Sequence, residues 1–310
     1  MTALSFPFIA LYNAGAAIFR STGNSKQVSI LMKIINVVGN GICVMGLKMG
    51  VAGVAVPTLV SRGVAAVVML AMASRRDQEL YLEKGSVFHV QPDMMRNILR
   101  IGIPSACENS FFQLGRTVVV SMIALFGTVQ TSANAVANTL DSLATVVGHA
   151  MGLAMVTVVG QCVGAGDTKQ TEYYIKKVLG WSYAMTGIVN VLILLFCGQL
   201  IGLYSSLSVE TEELAYRLVT MHSFFAIFMW PLSFVLPNAL RAASDAKFTM
   251  WVGMFSMLTM RIGLSWILCV WMGWGAVGVW IAMILDWMVR ISFFVPRTVL
   301  GKWKNKYRPS

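Results

Sequence analysis

The sequence predicts an all-α polytopic membrane protein. Three observations carry that prediction: the apolar composition, apolar runs of bilayer length, and a lopsided placement of basic residues. Of 310 residues, 57% are hydrophobic and only 12% charged. With the 27 glycines added, the apolar share is about 66%, against ~45–50% for soluble domains counted the same way. That excludes a soluble globular domain and a disordered chain. The net charge is +11, from 24 Lys and Arg against 13 Asp and Glu. The basic residues lie in short connections between apolar runs, so the anionic partner they predict is the cytoplasmic lipid surface and not nucleic acid.

A bilayer crossing takes about 20 apolar residues. Nine stretches qualify in chain order. The first, 1–19, is barely long enough; it lacks a basic start and a small-residue cleavage site, so it reads as a span rather than a leader. Spans 27–47 and 50–73 flank Lys48. The one long polar connection, Ser74–Asp93, is the expected domain boundary. Beyond it, 97–125 carries Pro104, 133–160 carries two GxxxG spacings (Gly148–Gly152, running on to Gly160–Gly164), and 175–203 ends before the acidic turn Val209–Glu213. Spans 214–240, 248–270 and 275–296 complete the set, followed by a basic tail. The expected domains are therefore 1–73, a linker 74–93, a six-helix unit 94–296 and a tail 297–310.

Alternate connections hold 18 basic residues on one side of the membrane and 2 on the other (Lys48 and Arg217). The remaining four, Arg62, Arg116, Arg261 and Arg290, fall inside spans. Positive charge marks the cytoplasmic side, which places the C-terminus there. Cys43, Cys107, Cys162, Cys197 and Cys269 all lie in or beside apolar runs without a CxxC pair, and read as small buried hydrophobes.

The chain also repeats itself. Ile18–Lys26 (IFRSTGNSK) and Ala239–Lys247 (ALRAASDAK) align Arg20 with Arg241, Asn24 with Asp245 and Lys26 with Lys247. Gly50–Ala55 (GVAGVA) and Gly275–Trp280 (GAVGVW) follow in the same order. Such a parallel repeat is related by an axis along the membrane normal. The second copy has 146 residues between Met95 and Arg241, the first only 19 before Arg20. A complete repeat therefore predicts about 127 further residues, three spans, ahead of the first.

At these positions the chain resembles the multidrug and toxic compound extrusion (MATE) transporters. The resemblance rests on the Arg20–Lys26 loop and its echo Arg241–Lys247, Gly160–Asp167 (GQCVGAGD), Ile101–Glu108 (IGIPSACE), the Gly275–Trp280 segment and Gly301–Trp303 (GKW). It implies a MATE-like two-lobe helical bundle of parallel six-helix repeats, monomeric at full length, in the plasma (inner) membrane. It also implies export of organic cations or similar amphiphiles by antiport with sodium or protons, and no cofactor. Two departures stand out. The family's first helix, which often carries a coupling Asp, is not in this chain. The span matching its tenth helix, 214–240, carries no acid, only His222, Ser223, Ser233 and Asn238 as polar candidates.

Ionisable groups inside a membrane cost ~2.5–3.5 kcal/mol each on insertion scales and so mark cavities or partners. Glu108 sits four residues after Pro104, near a carbonyl freed by the proline. That fits a proton or sodium site; the other reading is an ion pair with Arg116 or with another helix. Asn109, Gln113 and Arg116 extend its polar face. On the next helix Asn134, Asn138, Asp141, Thr145 and His149 form one stripe, which either lines a wet cavity or bonds to a neighbouring helix. Glu108 and Asp141 are the expected coupling acids, and Asn109, Gln113, Arg116, Asn134, Asn138, His149 and Arg261 the expected substrate-cavity residues. Asp286 and Arg290, four apart, read as a structural ion pair. Arg20, Lys26, Arg241 and Lys247 read as topology anchors. Phe112, Phe224, Phe225 and Trp230 either stack on a cationic substrate or simply pack.

The leading functional class is a secondary exporter, since no Walker A sequence is present to supply ATP. A lipid-linked precursor flippase of the wider superfamily is the alternative, supported by the four intramembrane arginines. A non-transporting membrane protein is the third reading. An enzyme is disfavoured: three histidines, no HExxH and no GxSxG give no catalytic cluster.

Overall fold

A computed structural model of the chain describes residues 5–21, 38, 42, 52–74, 91–204 and 207–306. Among them no strand occurs, and the chain divides into two compact units, Met1–Pro92 and Asp93–Ser310. Span 27–47 (bar Val38 and Ile42), residues 22–26 and 50–51 of the first copy of the repeat and linker residues 75–90 lie outside the described residues.

The first unit pairs α1 (Phe6–Ser21) with α2 (Ala52–Ala73). Ala16 and Phe19 pack on Met69 and Ala73. Gly15 allows this approach, because a side chain there would overlap Met69. Arg62 donates from Nη1 to Ser5 Oγ at 2.6 Å.

The second unit contains α3 (Pro92–Ala124), α4 (Thr128–Gly164), α5 (Thr168–Leu195), the short α6 (Cys197–Gly202), α7 (Val209–Ala242), α8 (Ala246–Trp271) and α9 (Gly275–Val299), closed by a 3₁₀ turn at Lys302–Lys306. Five of the six spans expected between 97 and 296 each coincide with one long helix; the sixth, 175–203, is divided at Phe196 between α5 and α6. Five of the long helices, α4, α5, α7, α8 and α9, are apolar and long enough to cross a membrane. Even the 25 residues of α9 reach about 37 Å at 1.5 Å per residue, beyond a hydrocarbon core of ~30 Å. At 33 residues α3 is long enough, but its polar face dilutes its apolar character.

Burial is inverted relative to a soluble protein. Along α5, Trp181, Met185, Ile188, Leu192 and Leu195 form an exposed apolar stripe, while Ser182, Thr186 and Asn190 are buried. Only an apolar solvent makes that arrangement favourable, so the stripe faces lipid.

The hub is α4, which packs on α5 and α7; α9 packs on α7 and α8. Ala133, Ala137 and Ala144 are completely buried on α4 and let neighbours approach closely. Gly148 faces Trp230 and Gly152 faces Asn238, so this GxxxG serves packing. At Gly160 and Gly164 a Cβ would meet nothing within 4 Å among the described residues.

The loop motifs are helix caps. In Gly160–Asp167, Gly166 takes a φ of 73° while the Asp167 amide donates to Cys162 O at 3.2 Å. Asp167 then caps α5 by accepting from Gln170 N at 2.9 Å. In Ala239–Lys247, Ser244 takes a φ of 64°, and Asp245 accepts from Arg297 Nε at 2.8 Å. At the other end of α9, Gln130 Oε1 accepts from Ala276 N at 2.9 Å, satisfying a first-turn amide.

Two helices carry π segments: Pro231–Val235 in α7, and Met257–Leu264 with Trp266–Trp271 in α8. Pro231 and Pro237 cannot donate to the ladder of α7, which accounts for the local rewinding there. The close fit of α9 on α8 makes a test of this packing. A Cβ at Gly278 would lie 2.8 Å from Leu268 C and 3.0 Å from Cys269 N, both backbone atoms that cannot swing aside. Gly278→Ala is expected to destabilise the unit by about 1–3 kcal/mol, read as a lowered Tm in detergent. An unchanged Tm would contradict the packing.

Candidate functional site

Within the second unit, α3, α4, α7, α8 and α9 enclose a cavity of about 880 Å³. Its wall mixes charged, amide and aromatic groups: Glu108, Asn109, Gln113 and Arg116 from α3; Asn138, Asp141, Thr145 and His149 from α4. The π segments contribute Ser233, Phe234 and Arg261, and Trp230 and Trp287 lie beside them. A π turn widens the helix and re-aims side chains, so the two rewound segments are what present Phe234 and Arg261 to the cavity.

The α4 stripe is resolved residue by residue. Asn134 is buried and is not among the lining residues; its Oδ1 accepts from Trp280 Nε1 at 3.0 Å and from Asn138 Nδ2 at 3.0 Å. Asn138 does line the cavity, and its Oδ1 accepts from Arg116 Nη2 at 3.1 Å, tying α3 to α4. Asp141 Oδ1 lies 2.8 Å from His222 Nε2 of α7. Thr145 Oγ1 donates back to Asp141 O at 2.9 Å. His149 stands edge-on to Trp230 with ring centroids 5.2 Å apart. The stripe therefore does both things the spacing allows: Asn138, Asp141, Thr145 and His149 line the cavity, while Asn134, Asn138 and Asp141 meet Trp280, Arg116 and His222 of neighbouring helices.

Glu108 is buried and paired, but not with Arg116. Its Oε1 accepts from Arg241 Nη2 at 2.7 Å, across 133 residues of chain. Arg241 Nη1 donates to Asn238 Oδ1 at 2.7 Å, and Asn238 Nδ2 donates to Phe234 O at 2.9 Å. Arg241, expected as a topology anchor, is thus a cavity residue. It lies at the end of a span beside a loop, where a local reading assigns it to the membrane surface. Glu108 Oε2 is buried with no hydrogen-bond partner among the described residues, which fits a proton or a hard cation. Arg241 on Oε1 works against a second positive charge there.

Asp286 and Arg290 form the expected ion pair on α9. Arg290 Nε donates to Oδ1 and Oδ2 at 3.3 and 3.2 Å, and its Nη2 reaches Gly253 O at 3.5 Å. Arg261 Nη1 approaches the same carboxylate at 4.0 Å. Phe112 lies under both guanidinium groups, 5.6 Å from Arg261 and 5.7 Å from Arg290. Phe224 is half exposed on the outside of α7 and packs on Phe225 and Phe228, so it is not part of the cavity.

Comparison with known proteins follows this geometry. The MatE family model matches residues 104–267, more than half of the chain. The uncharacterized transporter YisQ of Bacillus subtilis is 30% identical over 91% of this chain and 63% of its own length. A multidrug resistance MATE family transporter of the MOP superfamily, solved in an outward-facing conformation, superposes with a TM-score of 0.85 at 22% identity, over 96% of this chain and 67% of that one. A MOP superfamily transporter from Pyrococcus furiosus, described as having a binding pocket of reverse polarity, gives a TM-score of 0.86 at 20% identity, over 96% and 67%. The chain spans 61–66% of the length of the curated relatives it matches.

Proposed function

We propose, from the premise that this chain belongs to the MatE family, that it works as a secondary active exporter of amphiphilic small molecules, driven by sodium or proton entry. MatE family members are transporters rather than enzymes, and the multi-pass helical fold agrees with that. The observation that carries the proposal is the cavity of about 880 Å³ inside apolar helices, with two carboxylates and several aromatic rings on its wall. Its volume falls in the range of small-molecule sites. Glu108 and Asp141 are the coupling acids in this reading, with Glu108 the candidate sodium or proton site. Asn109, Gln113, Arg116, Asn138, His149 and Arg261 contact the substrate, and Asn134 holds Asn138 in place behind them.

The rest of the proposal follows from charge and repeat. Residues 1–73 belong to a first lobe, 74–93 link it to the lobe 94–296, and the basic tail 297–310 meets cytoplasmic lipid headgroups. The protein acts as a monomer in the plasma (inner) membrane. A second reading, a flippase for lipid-linked precursors, is favoured by the four arginines that line the cavity.

Proteoliposomes of the full chain test the export reading. Either cationic ethidium or anionic anilinonaphthalene sulfonate is expected to move against its own gradient when a sodium or proton gradient is imposed. Asp141→Asn is expected to slow that movement about tenfold or more, the kinetic equivalent of losing one charged contact. Movement of both probes no faster than in protein-free liposomes, under both gradients, would overturn the proposal.

A further inference from the structure

The charges around the cavity do not balance, and the sign of the surplus bears on what the cavity holds. Four guanidinium groups, from Arg116, Arg241, Arg261 and Arg290, line it. They meet three carboxylates, Glu108 and Asp141 on the wall and Asp286 behind it, so the surplus is positive whether or not His222 carries a proton. Each carboxylate already has a basic partner: Glu108 has Arg241 at 2.7 Å, Asp141 has His222 at 2.8 Å, and Asp286 has Arg290 at 3.2 Å.

Two arginines are less well provided for. Arg116 donates to the neutral amide oxygen of Asn138. Arg261 comes no nearer than 4.0 Å to a carboxylate that Arg290 already holds, and its Nε is buried with no acceptor among the described residues. The aromatic faces tell the same story. Phe112 already has Arg261 and Arg290 within 6 Å of its ring, and Phe234 has Arg290 at 5.3 Å. A cationic ligand would meet guanidinium groups where it needed carboxylates and open ring faces. Charge held out of water is costly until it is matched, and the guanidinium fork matches carboxylate and phosphate oxygens two at a time.

We propose that Arg116 and Arg261 form a subsite for the anionic group of an amphiphile (a phosphate, carboxylate or sulfonate), with its apolar body against Trp230, Phe234 and Met283. This deepens the export reading, on which it rests for the idea that the bound molecule is the one moved. It leaves the coupling ion to Glu108 and Asp141. The anion comes either from a lipid headgroup or from a soluble organic acid.

Equilibrium binding decides the matter without a gradient. The full chain in phosphatidylcholine nanodiscs is titrated with 1-naphthyl phosphate and, separately, with 1-naphthylmethylammonium, which shares its ring system. The phosphate is expected to bind about tenfold more tightly or better. Arg116→Gln and Arg261→Gln are each expected to weaken it about tenfold, while Arg116→Lys, which keeps the charge but loses the fork, is expected to weaken it less than Arg116→Gln. Arg116 is only partly buried, so Arg116→Gln remains informative if Arg261→Gln fails to fold, with an unchanged Tm as the check. Competition by phosphatidic acid doped into the disc assigns the site to a lipid headgroup; its failure to compete with retained probe binding assigns it to a soluble anion. Equal or tighter binding of the ammonium probe overturns the proposal, as does phosphate binding that survives Arg116→Gln in folded protein. Phosphate preference without gradient-driven movement would defeat the export reading alone.

Discussion

Asp286→Ala is expected to be the most destabilising single substitution in the second unit, costing about 3–5 kcal/mol. Asp286 is fully buried and answers two guanidinium groups, Arg290 at 3.2 Å and Arg261 at 4.0 Å. Removing the carboxylate leaves two like charges facing each other beside Phe112 in a wall of low dielectric. The penalty is the stranded positive charge, not merely the lost bond. The double variant Asp286→Ala, Arg290→Met is therefore expected to recover part of the loss, because it removes one of the two stranded guanidinium groups. Thermal unfolding in detergent checks both. If Asp286→Ala melts with the wild type, the pair contributes nothing and the triad is not a structural element.

This triad also shows what kind of interaction a sequence reveals. Asp286 and Arg290 are four residues apart on one helix, so their pairing follows from helical geometry alone. The α4 stripe from Asn134 to His149 was legible for the same reason, and so were the five spans of the second unit whose apolar runs exceed the bilayer thickness. The cap geometry of the GQCVGAGD motif is likewise local: a glycine at 166 for the left-handed turn and an aspartate at 167 for the next helix. Contacts across helices carry no such signature. The partner of Glu108 lies 133 residues away, and that of Asp141, His222, is on α7. Neither distance nor register is encoded near either residue.

The π segments were invisible for another reason. Met257–Leu264 carries Arg261 and Gly263 but no proline to mark it as Pro231 marks α7. Yet the rewinding sets the direction of Arg261. An ordinary α-helical count puts Arg261 on a face, but not at 4.0 Å from Asp286 and over Phe112. The basic character of the cavity follows from Arg261, which its place inside a span already marked as a cavity candidate, together with Arg241, which a local reading assigns to the membrane surface.

Glu108→Gln is expected to abolish ion-coupled export, by about a hundredfold or more, while the protein still inserts and folds. The geometry offers two reasons, and they separate experimentally. As a structural ion pair, Glu108 ties α3 to α7 through Arg241; as a coupling acid, its buried Oε2 exchanges a proton or sodium. Arg241→Gln alone leaves the carboxylate buried without its 2.7 Å partner and is expected to cost about 1.5–3 kcal/mol, the range for hydrogen bonds to charged groups. In the double variant Glu108→Gln, Arg241→Gln, two neutral amides of similar shape replace the pair. Stability is then expected to return to within about 1 kcal/mol of wild type, since the coupling between contacting residues cancels. Export is the discriminating readout. If Glu108 only tied helices together, the double variant would regain transport along with its Tm. If Glu108 carries the coupling ion, Tm recovers and gradient-driven export does not, because an amide has no proton to exchange in the working pH range.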